Sequence, residues 1–168
     1  NSTVDDSDTR GVRVSTGSGT ARIGNVTLRN LTVEGSGDGE GIDLSDSRAG
    51  VIDRVTLVDS TVTSHEVGVG IRSDSFVRDV LVFRNRILET DRGVVLEGEG
   101  SQPLRNVAVR RNLVSGAGDA GVFVADGTDT DAGAETTGIR VTRNVVRDNE
   151  RGVVNEGGPA LSAWLNYW

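Results

Sequence analysis

The chain has 168 residues, with 18 basic against 25 acidic side chains and a formal net charge of -7; every basic residue is arginine, and there is no cysteine or methionine. Without cysteine, a disulfide framework and thiolate metal sites are excluded. So acidic a chain is ill suited to a nucleic-acid backbone, and no apolar run approaches the ~18 residues that span a membrane. The length suits one domain. With no methionine present, Asn1 is expected to be a processed or cut terminus.

Residues 1–9 read as an extended or capping lead-in. From residue 10 to 168 a single repeat domain is expected, with 155–168 as its closing coil. Two phrases alternate through it. The first is glycine, apolar, any, apolar. It begins at Gly11-Val12-Arg13-Val14 and Gly41-Ile42-Asp43-Leu44, then at Gly68-Val69-Gly70-Ile71 and Gly93-Val94-Val95-Leu96. Its last copies are Gly121-Val122-Phe123-Val124 and Gly152-Val153-Val154-Asn155. The second phrase is apolar, any, apolar, then a further apolar residue seven places after the first. It begins at Val26, Val55, Val80, Val107, Ile139 and Leu161, with steps of 29, 25, 27, 32 and 22 residues.

Alternation of this kind describes short strands with Val94 and Leu96 on one face and Val95 on the other. Strands of three or four residues cannot bury a face alone, but stacked coils form a continuous apolar column. The sixth place of the second phrase is polar: Asn85, Asn112, Asn144 and Asn166, with Ser60 earlier and Leu31 as the exception. Asparagine tolerates the left-handed backbone of a sharp turn, and stacked amides can bond one another along the column. Contact with a glycan or ligand is the other reading of this column.

The pattern Gly-Val-x-Val, then Asn-Val-x-Val-x-x-Asn-x-Val, resembles the parallel β-helix repeats of the pectin-lyase-like superfamily. Within it, the pattern is most similar to NosD-like repeat families. The resemblance implies an all-β fold: one right-handed parallel β-helix of about six coils, three short strands per coil. It also implies an exported protein of bacterial or archaeal type. Arginine in place of lysine, with excess acid, matches a salt-loving archaeon; a GC-rich genome gives the same bias. Three sequons, at Asn1, Asn25 and Asn30, are candidate glycosylation sites.

The family's chemistry supplies templates. The hydrolase pattern of paired aspartates with a Gly-His-Gly segment is absent, since the lone histidine, His65, is followed by Glu66. His65 itself reads as a solvated turn residue. The lyase pattern of Ca²⁺-holding carboxylates beside a basic side chain leaves an alternative catalytic edge of Asp46, Arg72, Asp74, Glu97 and Asp126, all at strand ends where solvated polar residues are also expected. Asp126, Asp129, Asp131 and Glu135, in the longest insertion, are the candidate Ca²⁺ ligands; a solvated acidic loop is the plain alternative. Gly35–Gly41 reads as a second flexible acidic loop. A NosD-like role in metal insertion lacks His, Met and Cys ligands.

Trp164, Tyr167 and Trp168 read as an end cap, leaving no aromatic groove. Leu81, Phe83 and Phe123, with Val58, Val95 and Val154, are expected to face outward as an apolar stripe, a candidate interface with further copies or other surface proteins. The reading is therefore a non-catalytic scaffold, extracellular or on the cell surface, of filament, spike or adhesin type. Its expected partners are carbohydrate or other copies of itself; Ca²⁺ is the one cofactor considered. The alternative is a polysaccharide lyase or glycoside hydrolase with an atypical carboxylate and arginine site.

Overall fold

The structure, a computed structural model, describes residues 2–7, 9–16, 20–46, 50–74, 76–98, 104–125, 138–156 and 161–168. The first two coils hold β1 (Ser2–Ser7), β2 (Arg10–Ser15) and β3 (Arg22–Arg29), then β4 (Leu31–Gly35), β5 (Glu40–Ser45) and β6 (Val51–Val58). The middle of the chain adds β7 (Thr61–Thr63), β8 (Val67–Ser73), β9 (Val77–Phe83), β10 (Arg86–Leu88), β11 (Arg92–Gly98) and β12 (Arg105–Arg110). It ends with β13 (Leu113–Ser115), β14 (Ala120–Val124), β15 (Arg140–Thr142), β16 (Val145–Arg147), β17 (Arg151–Asn155) and β18 (Ser162–Trp164).

Every third strand belongs to the same sheet. Sheet 1 runs β1-β4-β7-β10-β13-β16, sheet 2 runs β2-β5-β8-β11-β14-β17, and sheet 3 runs β3-β6-β9-β12-β15-β18. Each pair is parallel, so the described strands wind as one solenoid, with five full turns from β1 to β16. The alternating phrases set which residues face in. Val33, Val62, Ile87, Val114 and Val146 line sheet 1, and Leu57, Val82, Val109 and Val141 line sheet 3, all at 2% exposure or less. Burying a side chain of this size contributes about 1.5–3 kcal/mol, and only stacking makes it available to strands this short.

Corners hold the coils in register. Asn30, Asp59, Arg84, Arg111, Arg143 and Leu165, at the turn from sheet 3 to sheet 1, have φ between 53° and 57°. The expectation that the asparagines themselves take this conformation is corrected: the left-handed residue is the one before. That reversal turns the next side chain inward. Asn112 shows the result: its Nδ2 donates to the Val82 carbonyl at 3.0 Å and to Asn144 Oδ1 at 3.1 Å, while its Oδ1 accepts from the Asn85 amide at 2.9 Å. The same bonds recur from Asn144 to Val109 and Asn166, and from Asn85 to Leu57. Ser60 accepts from the Leu31 amide at 3.1 Å and so extends the ladder to the one apolar member.

Outside the core, arginines join neighbouring coils. Arg72 pairs with Glu97 at 3.0 Å and with Glu40, Arg84 pairs with Asp59 at 2.7 Å, and Arg92 pairs with Asp119 at 2.7 Å. Gly70 makes room for one of these pairs, because a Cβ there would come within 2.6 Å of the Arg72 guanidinium. Asp53, fully buried, is faced by Arg22, Arg54 and Arg78. The Arg22 guanidinium beside it holds its carboxyl below the ordinary carboxylate range, against the effect of burial.

Two further expectations fail on burial. The outward apolar stripe is not a continuous exposed surface. Phe123 is 5% exposed, Val95 2% and Val58 4%; Phe123 packs with Val67, Val95 and Ala120, and the Arg92 guanidinium lies 4.2 Å from its ring centroid. Leu81 and Phe83 are half-buried. The segment Gly35–Gly41 is not a loose acidic loop either: its Glu40 is buried between Arg10 and Arg72.

Asn112→Ala is expected to lower stability by several kcal/mol. It orphans the Asn85 amide and the Val82 carbonyl, at about 1–3 kcal/mol for each buried group. Val82→Asp is expected to abolish folding, while Thr56→Asp, on the outer face, stays close to wild type. Urea denaturation of the three variants checks this; equal midpoints for Val82→Asp and Thr56→Asp would overturn the register.

Candidate functional site

On the outer face of sheet 3 the strand register sets side chains in rows along the solenoid. Thr27, Thr56, Leu81, Ala108, Arg140 and Ser162 form one row. Arg29, Val58, Phe83, Arg110, Thr142 and Trp164 form the next. Beside them runs the left-handed corner column, in which Arg84, Arg111 and Arg143 occupy successive coils. Toward the C-terminal end these rows converge on a hollow of about 560 Å³, floored by Leu81 and Ala108 and walled by Arg110, Arg111, Arg140, Arg143 and Trp164.

The arginines of this hollow differ from several elsewhere. Arg84, one coil earlier, is fixed by Asp59 through two bonds of 2.7 and 2.8 Å. Among the described residues no carboxylate pairs with Arg110, Arg111, Arg140 or Arg143. Arg110 and Arg111 lie over the Phe83 ring, 5.3 and 5.8 Å from its centroid, and Arg143 lies 6.0 Å from that of Trp164. Arg140 donates to Asn106 Oδ1 at 2.8 Å, and Asn106 donates to Asp79 Oδ1 at 2.6 Å. Among the described residues Asp79 is the one carboxylate lining the hollow. Across the corner, Arg111 and Arg143 also border a second hollow of about 530 Å³, lined by Leu165, Asn166 and Tyr167. Trp164 is 54% exposed and Tyr167 73%, so two aromatic faces flank the arginine ridge. The expectation of no aromatic groove is corrected here. Alternation made the outward position of Leu81 legible; the convergence of the arginines and Trp164 depended on the stacking register.

The catalytic edge read from the sequence divides. Arg72 and Glu97 meet. Asp46 is buried and its carboxylate accepts from the backbone amides of Asp74, at 2.7 Å, and Phe76, so it braces a turn. Asp74 is exposed. Asp126, Asp129, Asp131 and Glu135, the Ca²⁺ candidates, lie outside the described residues, as does Asn1. Among the described residues no group of three His, Asp or Glu side chains is placed to hold a metal ion. Of the other sequons, Asn30 is exposed, and Asn25 is exposed with its Oδ1 accepting from Arg54 Nε at 2.7 Å. A smaller hollow of about 320 Å³ holds Glu66, Asp91, Arg92 and Asp119. Its Asp119 carboxyl is held below the ordinary range by Arg151 and then Arg92.

His65 is not a solvated turn residue. It is 1% exposed, and neither ring nitrogen has a partner in hydrogen-bond geometry among the described residues. Its ring sits against two glycines: a Cβ on Gly35 would collide with it, and one on Gly41 would come within 2.9 Å. Burial pushes its pKa below the ordinary value, with the Asp38 backbone opposing.

The chain matches the family described as "Right handed beta helix region" over residues 1–164. It belongs to that family, which also supplies the right hand of the winding. No curated protein and no solved structure matches it.

The His65 shift carries a pH dependence. Its pKa is depressed in the folded state, so its contribution is complete above the unfolded value of about 6.5 and declines as pH falls below it. Thr90 stands at the same place one coil later. His65→Thr is therefore expected to melt lower at about pH 7 but to lose less between about pH 7 and pH 5 than wild type does. Thermal melts at the two pH values check this, and equal losses would refute it.

Proposed function

We propose that this chain is a non-catalytic β-helix scaffold of the cell exterior that presents the outer face of sheet 3 to a carbohydrate. The observation that carries the reading is the make-up of the hollow on this face. Among the described residues, four guanidiniums and an exposed tryptophan surround it, with a single carboxylate that is bonded to Asn106. Glycoside hydrolysis calls for two carboxyl groups facing each other across the bond, about 5–9.5 Å apart. A flat aromatic face beside hydrogen-bonding side chains is a binding arrangement, since it holds a ring by its apolar side and its polar rim together.

A second reading, a lyase, draws on arginine beside a carboxylate, as at Arg72 and Glu97 or in the Asp79 hollow. In the first pair both charges are already committed, because Arg72 bridges Glu40 and Glu97. That commitment favours the scaffold.

Incubation with neutral and uronate polysaccharides is expected to yield neither new reducing ends nor unsaturated products. Turnover abolished by Arg72→Ala, Asp74→Asn or Asp79→Asn would replace the scaffold reading with the lyase one and would locate its site.

A further inference from the structure

We propose that the ligand of the sheet 3 hollow is a polyanionic saccharide, carboxylated or sulfated, held by Arg110, Arg111, Arg140 and Arg143 with its sugar rings against Trp164. The inference rests on the reading of this face as a carbohydrate-binding surface, and it names the charge and class of the ligand.

Three observations carry it. The first is unpaired charge. Several arginines on one coil are neutralised by a carboxylate on a neighbouring coil, as in Arg72–Glu97, Arg84–Asp59 and Arg92–Asp119. At Arg111 and Arg143, on adjacent coils of one column, cation follows cation, with no paired carboxylate among the described residues. Like charges on adjacent coils repel. Coils repeat every ~4.8 Å, so a ligand carrying regularly spaced anions relieves this repulsion along the axis. The second is charge contrast. Among the described residues four guanidiniums converge with one carboxylate on a chain whose net charge is -7, so attraction for an anion is local to this groove. The planar fork of arginine matches carboxylate and sulfate oxygens two at a time. The third is shape. The two hollows share the Arg111 and Arg143 ridge, and the exposed rings of Trp164 and Tyr167 flank it. That is a track across the corner for an extended chain of rings. A nucleic acid shares the anionic charge, but its dense phosphates would meet the acidic remainder of the molecule.

Binding is measured by calorimetry on the whole chain with four probes: alginate, dextran sulfate, neutral dextran and a single-stranded oligodeoxynucleotide. Alginate or dextran sulfate is expected to bind, more weakly as NaCl rises, and the two arms tell carboxylate from sulfate. Arg143→Ser is expected to weaken that binding about tenfold or more. Arg147→Ser makes the same change in net charge outside the hollow and is expected to change binding by less than about twofold. Trp164→Ala is expected to weaken it as well. Both arginines are exposed, and circular dichroism verifies that the variants fold. Equal losses in Arg143→Ser and Arg147→Ser would overturn the proposal, as would failure of both polyanions to bind. Tighter binding of the oligodeoxynucleotide would replace the saccharide. Binding of neutral dextran that depends on Trp164 but not on Arg143 would keep the carbohydrate face and overturn its anionic ligand. Cleavage of a bound polyanion would overturn the scaffold and leave the arginine site standing.

Discussion

Where sheet 3 turns into sheet 1, the backbone leaves regular strand pairing and its amides and carbonyls turn into a region with no water. Each such group left alone costs about 1–3 kcal/mol. A primary amide settles a donor and an acceptor at once in so small a space. Asn85, Asn112, Asn144 and Asn166 therefore stack and satisfy the backbone of the coil before them while bonding one another. Position along the stack is fixed by this ladder, because a slip by one residue would put an arginine or an apolar side chain at the corner and turn each inward valine out. Every row of neighbours on the outer faces inherits its alignment from that constraint.

Once the rows are aligned, the outer faces are a lattice on which a residue has a defined neighbour one coil away. Arginine exploits this lattice well. Its long stem and rigid fork reach a carboxylate ~4.8 Å along the axis without leaving the surface. Exposed pairs of this sort contribute little singly. Asp53 is a different case: a fully buried carboxylate answered by three arginines, where removal of the cations would leave a desolvated charge. The arginine-only composition fits both uses.

Much of the fold was legible because its period is written in valines. Val80-Leu81-Val82 and Gly93-Val94-Val95-Leu96 specify strand, face and repeat together, and the structure keeps that register. Legibility ended where a residue's surroundings come from another coil. His65 looks like a polar residue at a turn; only the stacking of Gly35 and Gly41 against it makes the site buried. Phe123 alternates outward as expected, yet outward on sheet 2 means beneath Arg92 and beside Val95, not in solvent. The left-handed residue was misplaced by one because asparagine's tolerance for that conformation suggested itself first, whereas arginine at 84, 111 and 143 adopts it under compulsion of the ladder. Trp164 does lie in the last strand of sheet 3, paired with Thr142, but the Arg143 guanidinium over its ring was not legible in the sequence.

The same lattice explains why a binding face can arise on this fold without disturbing it. Inward positions are constrained by the column, and corner positions by the amide ladder, so neither can vary freely. Outward positions are constrained only by their neighbours one coil away. Replacing an acid by a second arginine at such a position costs modest repulsion in high-dielectric surroundings, well below the value of one inward valine. Where the adjacent coil offers a carboxylate, as to Arg84 and Arg92, the arginine ties the coils together; Arg111 and Arg143 have no such partner among the described residues, so the protein leaves their charge uncompensated.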